Sequence, residues 1–457
     1  MIGRRLGVLS RWIRVCLMIP LASVVSSGKG LAQNWSLDAR TIGLGDVGGS
    51  GNLATKMIDE QRDYRSIVLP FGLIQTLQHK HVFDPGSSEF DPIRAIEYAS
   101  SPFHYVFGRD TGNSSAESRF VSGVRNATLG RKLSTYPGFV PANDVIAEGL
   151  VSPSFGGTIK VRQDPMGGFQ GMYVGAGPYL SLRTAAAIDR GLTNVLTTGI
   201  DAPSALLPMT ASHEGQLALA VTGGYRGRFR WPSGVGSGSA REGLYVAANY
   251  NYLHGFQYEN DDIAVRFITD NQGSLVDASN IAVGHRHTSA GSGMALDFGI
   301  GAVIDHWEAG FGARGIANRI DWSKVEATTY SLSNLTSGRS TFTNTPAVAA
   351  ADRRVELPVD YRGNVAYYSD RWTAAVEVGH GLGGGSFHGG LERRFRQIEL
   401  RGGARYTVGE WNPAAGIGFN LTRRVSLDVA AFGTTANIER QRRMAVAGSL
   451  RLNHDRK

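Results

Sequence analysis

The sequence predicts an all-β fold: a transmembrane antiparallel up-and-down β-barrel of about fourteen strands (roughly 12–16), with a partly helical N-terminal plug or cap. Three observations predict it. Apolar and polar residues alternate with a period of two to the end of the chain. Glycine is abundant, at 60 of 457 residues, about twice its usual share. Beyond the first 32 residues no apolar run approaches the length of a membrane-spanning helix.

Residues 1–32 read as an export signal peptide. Arg4, Arg5, Arg11 and Arg14 give a basic start, and Val15 to Val25 is an apolar run. Gly30-Leu31-Ala32 then places small residues at the −3 and −1 positions of a cleavage site. An uncleaved anchor is the alternative, and it needs a longer run. Cys16, the only cysteine, lies inside this segment. The exported chain would hold no disulfide and no thiolate metal site, which suits an oxidising compartment. Arg4, Arg5, Arg11, Arg14 and Lys29 leave with the leader, so the formal charge of +8 falls to about +3. The high isoelectric point is then no sign of a nucleic-acid partner.

Residues 33–150 alternate poorly. Asp91 and Pro92 are a start signal for a helix at Ile93–Tyr98, and Met57–Tyr64 reads as a second short helix. Ser66 to Phe71 is apolar but contains Pro70, which makes a poor central strand. A plug inside the barrel or a cap at its periplasmic side has this mixed character. The other reading is a set of irregular first strands.

Residues 151–457 form the main barrel. From Gln397 to Val408 one face reads Ile398, Leu400, Gly402, Ala404, Tyr406, Val408 and the other Gln397, Glu399, Arg401, Gly403, Arg405, Thr407. A helix would scatter these residues around its circumference, and about 9–11 residues suffice for a strand to cross a bilayer. The pattern recurs at Trp372–Val378, Ala414–Leu421, Val425–Ala431 and Met444–Leu452, and earlier at Leu217–Phe229, Leu244–Tyr252, Met294–Ala302 and Trp307–Ala313. Short turns at Ser369-Asp370-Arg371, Gly409-Glu410 and Thr422-Arg423 call for antiparallel neighbours. Polar stretches at Ala187–His213 and Asn334–Asp352 suit long external loops.

The apolar faces carry no charge for several residues running, whereas the opposite faces mix small residues with both signs of charge. That pattern fits lipid outside and a crowded polar lumen inside. A soluble β-sandwich is the alternative and calls for a Lys-, Glu- and Thr-rich outer face. The candidate lumen-lining set is Arg226, Arg228, Arg230, Glu377, Glu399, Arg401, Arg405, Asp428 and Arg451. These charges either line a water-filled path or pair with one another as filler that anchors a plug. Trp231, Trp307, Trp322, Trp372 and Trp411 lie near expected strand ends and form a candidate aromatic girdle.

Gly43-Leu44-Gly45-Asp46-Val47-Gly48 matches a dinucleotide fingerprint but lacks the preceding strand and following helix. His285 and His287 share one strand face without a third ligand in sequence, so they read as polar strand residues and not as a metal site. No nucleophile elbow or zincin motif occurs. The sequence therefore nominates no catalytic residue, cofactor or metal, and the chain is not expected to be an enzyme.

Leu37-Asp38-Ala39-Arg40-Thr41-Ile42-Gly43-Leu44-Gly45-Asp46-Val47-Gly48, following a signal peptide, resembles the start of FadL-type barrels, a grouping that includes long-chain fatty acid transporters and the PorV-like and TraF-like outer-membrane proteins. Leu400–Tyr406, Ala414–Phe419 and Val425–Ala430 are similar in style to their last hairpins. The chain lacks the Asn-Pro-Ala that usually follows the glycine-rich start, and it lacks a terminal aromatic residue. The resemblance implies a fourteen-stranded barrel in the outer membrane with an N-terminal hatch. It implies a passive channel or transporter for small or hydrophobic solutes, in contact with outer-membrane lipid. The alternative is a non-conducting scaffold or assembly barrel with a protein partner in the envelope.

Overall fold

The structure is a computed structural model. It describes residues 36, 38–48, 52–59, 64–83, 103–108, 144–151 and 155–453, the last span with gaps at 166, 190, 192–202, 233–234, 240, 274, 334–340, 382–383, 408 and 435–442. The expected signal peptide with Cys16 and the helix expected at Ile93–Tyr98 lie outside these residues.

Among the described residues three α-helices occur near the start: α1 (Ala39–Gly43), α2 (Leu53–Asp59) and α3 (Phe71–Gln78). The helix expected over Met57–Tyr64 is α2, displaced toward the N-terminus. The strands that follow or intervene are β1 (Tyr64–Leu69), β2 (Tyr105–Val106), β3 (Asp144–Val151), β4 (Phe155–Gln163), β5 (Phe169–Ile188), β6 (Leu206–Phe229) and β7 (Gly243–Thr269). Next come β8 (Leu275–Thr288), β9 (Ala290–Ile304), β10 (Trp307–Ser323), β11 (Glu326–Ser333), β12 (Thr341–Asn344), β13 (Val348–Ala349) and β14 (Arg353–Glu356). The last are β15 (Asp360–Tyr368), β16 (Trp372–Gly381), β17 (Gly384–Arg394), β18 (Ile398–Thr407), β19 (Glu410–Asn420), β20 (Val425–Thr434) and β21 (Arg443–Asn453).

Every ladder is antiparallel, and several segments act together as one interrupted strand. β3 and β4 share β5 as partner, and β8 and β9 share β7. β10 and β11 continue one another along β9 and β8, with β12 to β15 along their other side. β1 and β2 both pair with β21. Counted by position among the described residues, the sheet is a meander of fourteen, with β3/β4 at one end and β1/β2 at the other. The two ends run antiparallel to each other, as an even-stranded barrel requires. Among the described residues no ladder joins them.

The wall is uneven. β16 to β21 have 10 or 11 residues each, about one bilayer crossing. β5, β6 and β7 have 20, 24 and 27. The long loop expected over Ala187–His213 is shortened at both ends: residues 187–188 belong to β5 and 206–213 to β6, with Ile188 opposite Met209. Backbone pairing there outlasts the apolar alternation from which the loop was read. The Asn334–Asp352 stretch likewise contains β12 and β13.

The two faces of the sheet are inverted relative to a soluble protein. Val376, Val378, Leu391 and Leu400 are between 45 and 56% exposed, whereas their strand neighbours Glu377, Glu392 and Arg401 are buried. A single sheet with its apolar face outward and its charged face covered excludes the soluble-sandwich alternative, which would bury the apolar face. On the outer face Ala302, Ala309 and Gly363 leave a shallow apolar groove of about 530 Å³ between Leu244, Ile300, Phe311 and Val376.

The wall position next to β21 contains a helical insert. Pro70 has no amide to donate to a ladder, so β1 stops at Leu69 and α3 begins. Gln75 on α3 is fully buried. Its side chain accepts from the Val106 amide (3.1 Å) and donates to the Val106 carbonyl (2.8 Å), replacing the partner strand that β2 would otherwise need. The proline thus forecloses a central strand, as the sequence indicates.

Candidate functional site: a plug locked to the inner wall

The inner face of β16 to β21 is built around Arg401. It stands opposite Glu392 in the β17–β18 ladder, and its Nε donates to Glu392 Oε2 at 2.7 Å. One terminal nitrogen reaches Asp428 at 2.7 Å, and the other bonds Glu399. Asp428 is two strands away on β20. The span is open because the intervening β19 carries glycine there: a Cβ on Gly418 would lie 2.6 Å from Asp428 and 2.9 Å from Arg401. Arg451 closes the group, donating to Glu399 at 2.7 Å and lying 3.5 Å from Asp428.

The N-terminal segment is tied to this network. Asp38 caps α1 by accepting from the Thr41 amide at 3.1 Å, and it also accepts from Ser449 of β21 at 2.9 Å. Arg40 then projects onto Glu392 as a two-bond fork, both bonds 2.9 Å. Such planar, charge-assisted pairs are the strong class of hydrogen bond, and this one is buried on both sides.

After α1 the chain turns through Gly45 and Asp46, both at positive φ (74° and 70°). The turn sits in a trench floored by glycines. A Cβ on Gly390 would lie 2.3 Å from the Leu44 carbonyl oxygen, and one on Gly403 2.4 Å from the Gly45 nitrogen. His388 Nδ1 donates to the Gly45 carbonyl at 3.2 Å. Asp46 accepts from the Ser36 amide at 2.9 Å and from Arg405 at 3.3 Å. Burial pushes the Asp46 carboxyl up to about 6 despite the Arg405 guanidinium beside it. Gly48 donates to Glu377 at 2.9 Å, which also accepts from Arg362 at 3.4 Å.

α2 docks elsewhere on the same inner face. Ala54, Met57 and Ile58 pack against Tyr245, Ala247 and Val303, and Thr55 donates to Asn364 at 2.9 Å. α1 and α2 are therefore seated at separate places on the inner face, α1 against β20 and α2 against β7.

Of the nine residues expected to face inward, eight lie on the covered face. Arg226 bonds Asn249 at 2.8 Å and lies over the Tyr173 ring, and Arg228 lies over Tyr245. Glu377, Glu399, Arg401, Arg405, Asp428 and Arg451 form the sites just described. Arg230 departs from the expectation. β6 ends at Phe229, so Arg230 turns away from the wall and clamps the following loop through the carbonyls of Ser239, Gly238 and Glu242.

Trp307, Trp372 and Trp411 are 56, 43 and 52% exposed at strand ends, and half-buried Trp231 donates to the Val303 carbonyl at 2.7 Å. Trp322 is the second correction. It is 1% exposed and donates to Gln216 at 3.1 Å. It lies against Gly255 and Gly291, where a Cβ would come within 2.4 Å of its ring. Its place in the alternation puts it on the Glu308 side, and the two bulges between them leave that parity intact.

His285 and His287 stack at 5.1 Å and face Asp261 (2.7 Å) and Glu326 (3.7 Å) respectively. Among the described residues no cluster of three or more metal-ligating side chains forms. Sequence reasoning missed Arg40, Asp46 and Glu392. Leu391-Glu392 carries the same alternation as its neighbours and was legible as an inward acid; the partners of Arg40 and Asp46, more than 300 positions away, were not.

No family model and no curated protein matches the chain. Solved structures similar to it include the Ralstonia pickettii toluene transporter TbuX, at 11% identity over 68% of this chain and 88% of that one, TM-score 0.30. The P. putida toluene transporter TodX is similar at 13% identity over 70% and 92%, TM-score 0.29. The Salmonella typhi outer membrane phospholipase is similar at 8% over 52% and 79%, TM-score 0.21. The fourteen-position antiparallel ladder, not these scores, establishes the fold.

Proposed function

We propose that this chain is an outer-membrane β-barrel, exported through a cleaved signal peptide, that passes small or hydrophobic solutes passively through a lumen occupied by its own N-terminal plug. The observation that carries the reading is the inversion of the wall. An apolar face is exposed around fourteen antiparallel positions, and a charged face is covered by α1, α2 and the turn between them. Water inside and lipid outside is the arrangement that satisfies both faces. The inward charges then set the electrostatics of the path, and outer-membrane lipid is the first partner.

The density of ion pairs around Arg401 favours a second reading, a sealed barrel serving as scaffold for an envelope protein. Planar-bilayer recording on the purified full-length protein separates the two. Discrete conductance steps, enlarged when Arg40 is replaced by alanine, support transport. A silent barrel that co-purifies with a stoichiometric partner supports the scaffold and contradicts transport.

A further inference from the structure

Beyond the trench that holds Leu44 to Asp46, the inner faces of β17, β18 and β19 continue toward Gly409 as two polar rows. His388, Arg405 and Asn412 form one row, and Ser386, Thr407 and Glu410 the other. Asn412 is 0% exposed, and neither atom of its amide has a hydrogen-bond partner. The Thr407 hydroxyl, His388 Nε2 and one Glu410 carboxylate oxygen are likewise buried and unmet. Buried polar groups in native structures nearly always have partners, and a cluster without them calls for an explanation.

Geometry ties the cluster to the turn. His388 spends its Nδ1 proton on the Gly45 carbonyl, which leaves Nε2 as an acceptor. Arg405 is engaged by Asp46 through one contact at 3.3 Å, whereas Arg40 upstream holds Glu392 with two at 2.9 Å. Gly45, between these two anchors, and Gly48, just beyond Asp46, have positive φ, which glycine adopts freely, so the turn can rotate on either side of Asp46 once its bonds to Arg405 and, through Gly48, to Glu377 are released.

We infer that the stripe formed by His388, Thr407, Glu410 and Asn412 is a transit site for small uncharged solutes that both donate and accept hydrogen bonds, such as polyols and urea, entered when the turn 44–48 lifts while α1 stays anchored. Acceptors and donors are mixed there: His388 Nε2, Asn412 Oδ1 and a Glu410 carboxylate oxygen lie beside the two Asn412 amide protons, the Thr407 hydroxyl and the Arg405 Nε proton. A solute carrying both donors and acceptors meets that set, and a hydrocarbon meets none of it. The inference rests on the transport reading above and adds a polar solute class to it.

The test uses the full-length protein in liposomes, with entry of glycerol, urea and toluene measured for wild type, Asn412→Leu and Thr407→Val. Each variant is first shown to be folded by its heat-dependent shift on SDS gels. Thr407→Val keeps the side-chain volume, so it carries the test if Asn412→Leu does not fold. Glycerol and urea entry should slow about fivefold, the equivalent of one lost hydrogen bond, with toluene entry unchanged and Thr407→Ser restoring the rate. Unchanged glycerol entry in the variants, or an equal slowing of toluene, overturns the inference. Wild-type entry of toluene alone overturns it and leaves the transport reading intact, whereas entry of no solute overturns both.

Discussion

At Asp46 a single carboxyl links the plug to acidity. Its surroundings are mixed: Arg405 on β18, Arg362 on β15, Glu377 on β16 and His388 on β17 all face the same turn. Burial is the largest influence and raises the carboxyl from 3.8 to about 6. A group that binds its proton more tightly when docked favours docking as the pH falls. The turn should be held most firmly below about pH 4 and should loosen as the pH rises through about 6. Hydrogen exchange at residues 44–48 should therefore be slower at pH 5 than at pH 7.5, after correction for intrinsic rates. Asp46→Asn should remove the difference, and a reversed difference would contradict the assignment. Arg40 makes the complementary case. Removing its fork should cost about 1.5–3 kcal/mol of plug docking, read as earlier proteolytic release of the N-terminal segment in Arg40→Ala.

Glycine shapes the elements more than the alternation pattern reveals. The turn 44–46 lies where Gly390 and Gly403 supply no Cβ, so Gly390→Ala should expel it while the strands remain paired. The expected result is a larger single-channel conductance with an unchanged heat shift; unchanged conductance would show that the trench does not position the plug. Gly418→Ala acts on the wall instead. It forces Arg401 off Asp428 and should lower the heat-shift midpoint without opening the channel. The strands themselves were largely legible: β18 at Ile398–Thr407 falls within the alternating run Gln397–Val408. Trp322 was readable by parity, since it lies on the Glu308 side of β10. The full reach of β5 and β6 was not, because their outer ends are held by ladder hydrogen bonds between residues of no fixed apolar period. Nor was the place of Arg230, where the chain leaves the sheet one residue earlier than the run of arginines suggests.

Over the whole molecule, the wall is low along β16 to β21 and tall along β5 to β11. The low side matches a bilayer crossing, and the tall side continues well beyond it. The polar pairs His285–Asp261 and Arg286–Asp262 join the upper parts of β7 and β8, where lipid-facing apolar residues give way to charge. The fold class and the inward placement of charge follow from period-two alternation alone. The plug's attachment does not, because Arg40 and Glu392 are brought together only when a segment outside the meander folds back into it.

The inversion of the two faces is the claim on which the rest depends, and lipid quenching tests it directly. Apart from Cys16 the chain has no cysteine, so a fluorophore can be placed singly at Ala375, Val376, Glu377 or Val378 of the full-length protein in liposomes. Lipid tails carrying bromine should quench positions 376 and 378 and spare 375 and 377. Uniform quenching, no quenching, or the opposite alternation would contradict a lipid-facing apolar wall around a charged interior.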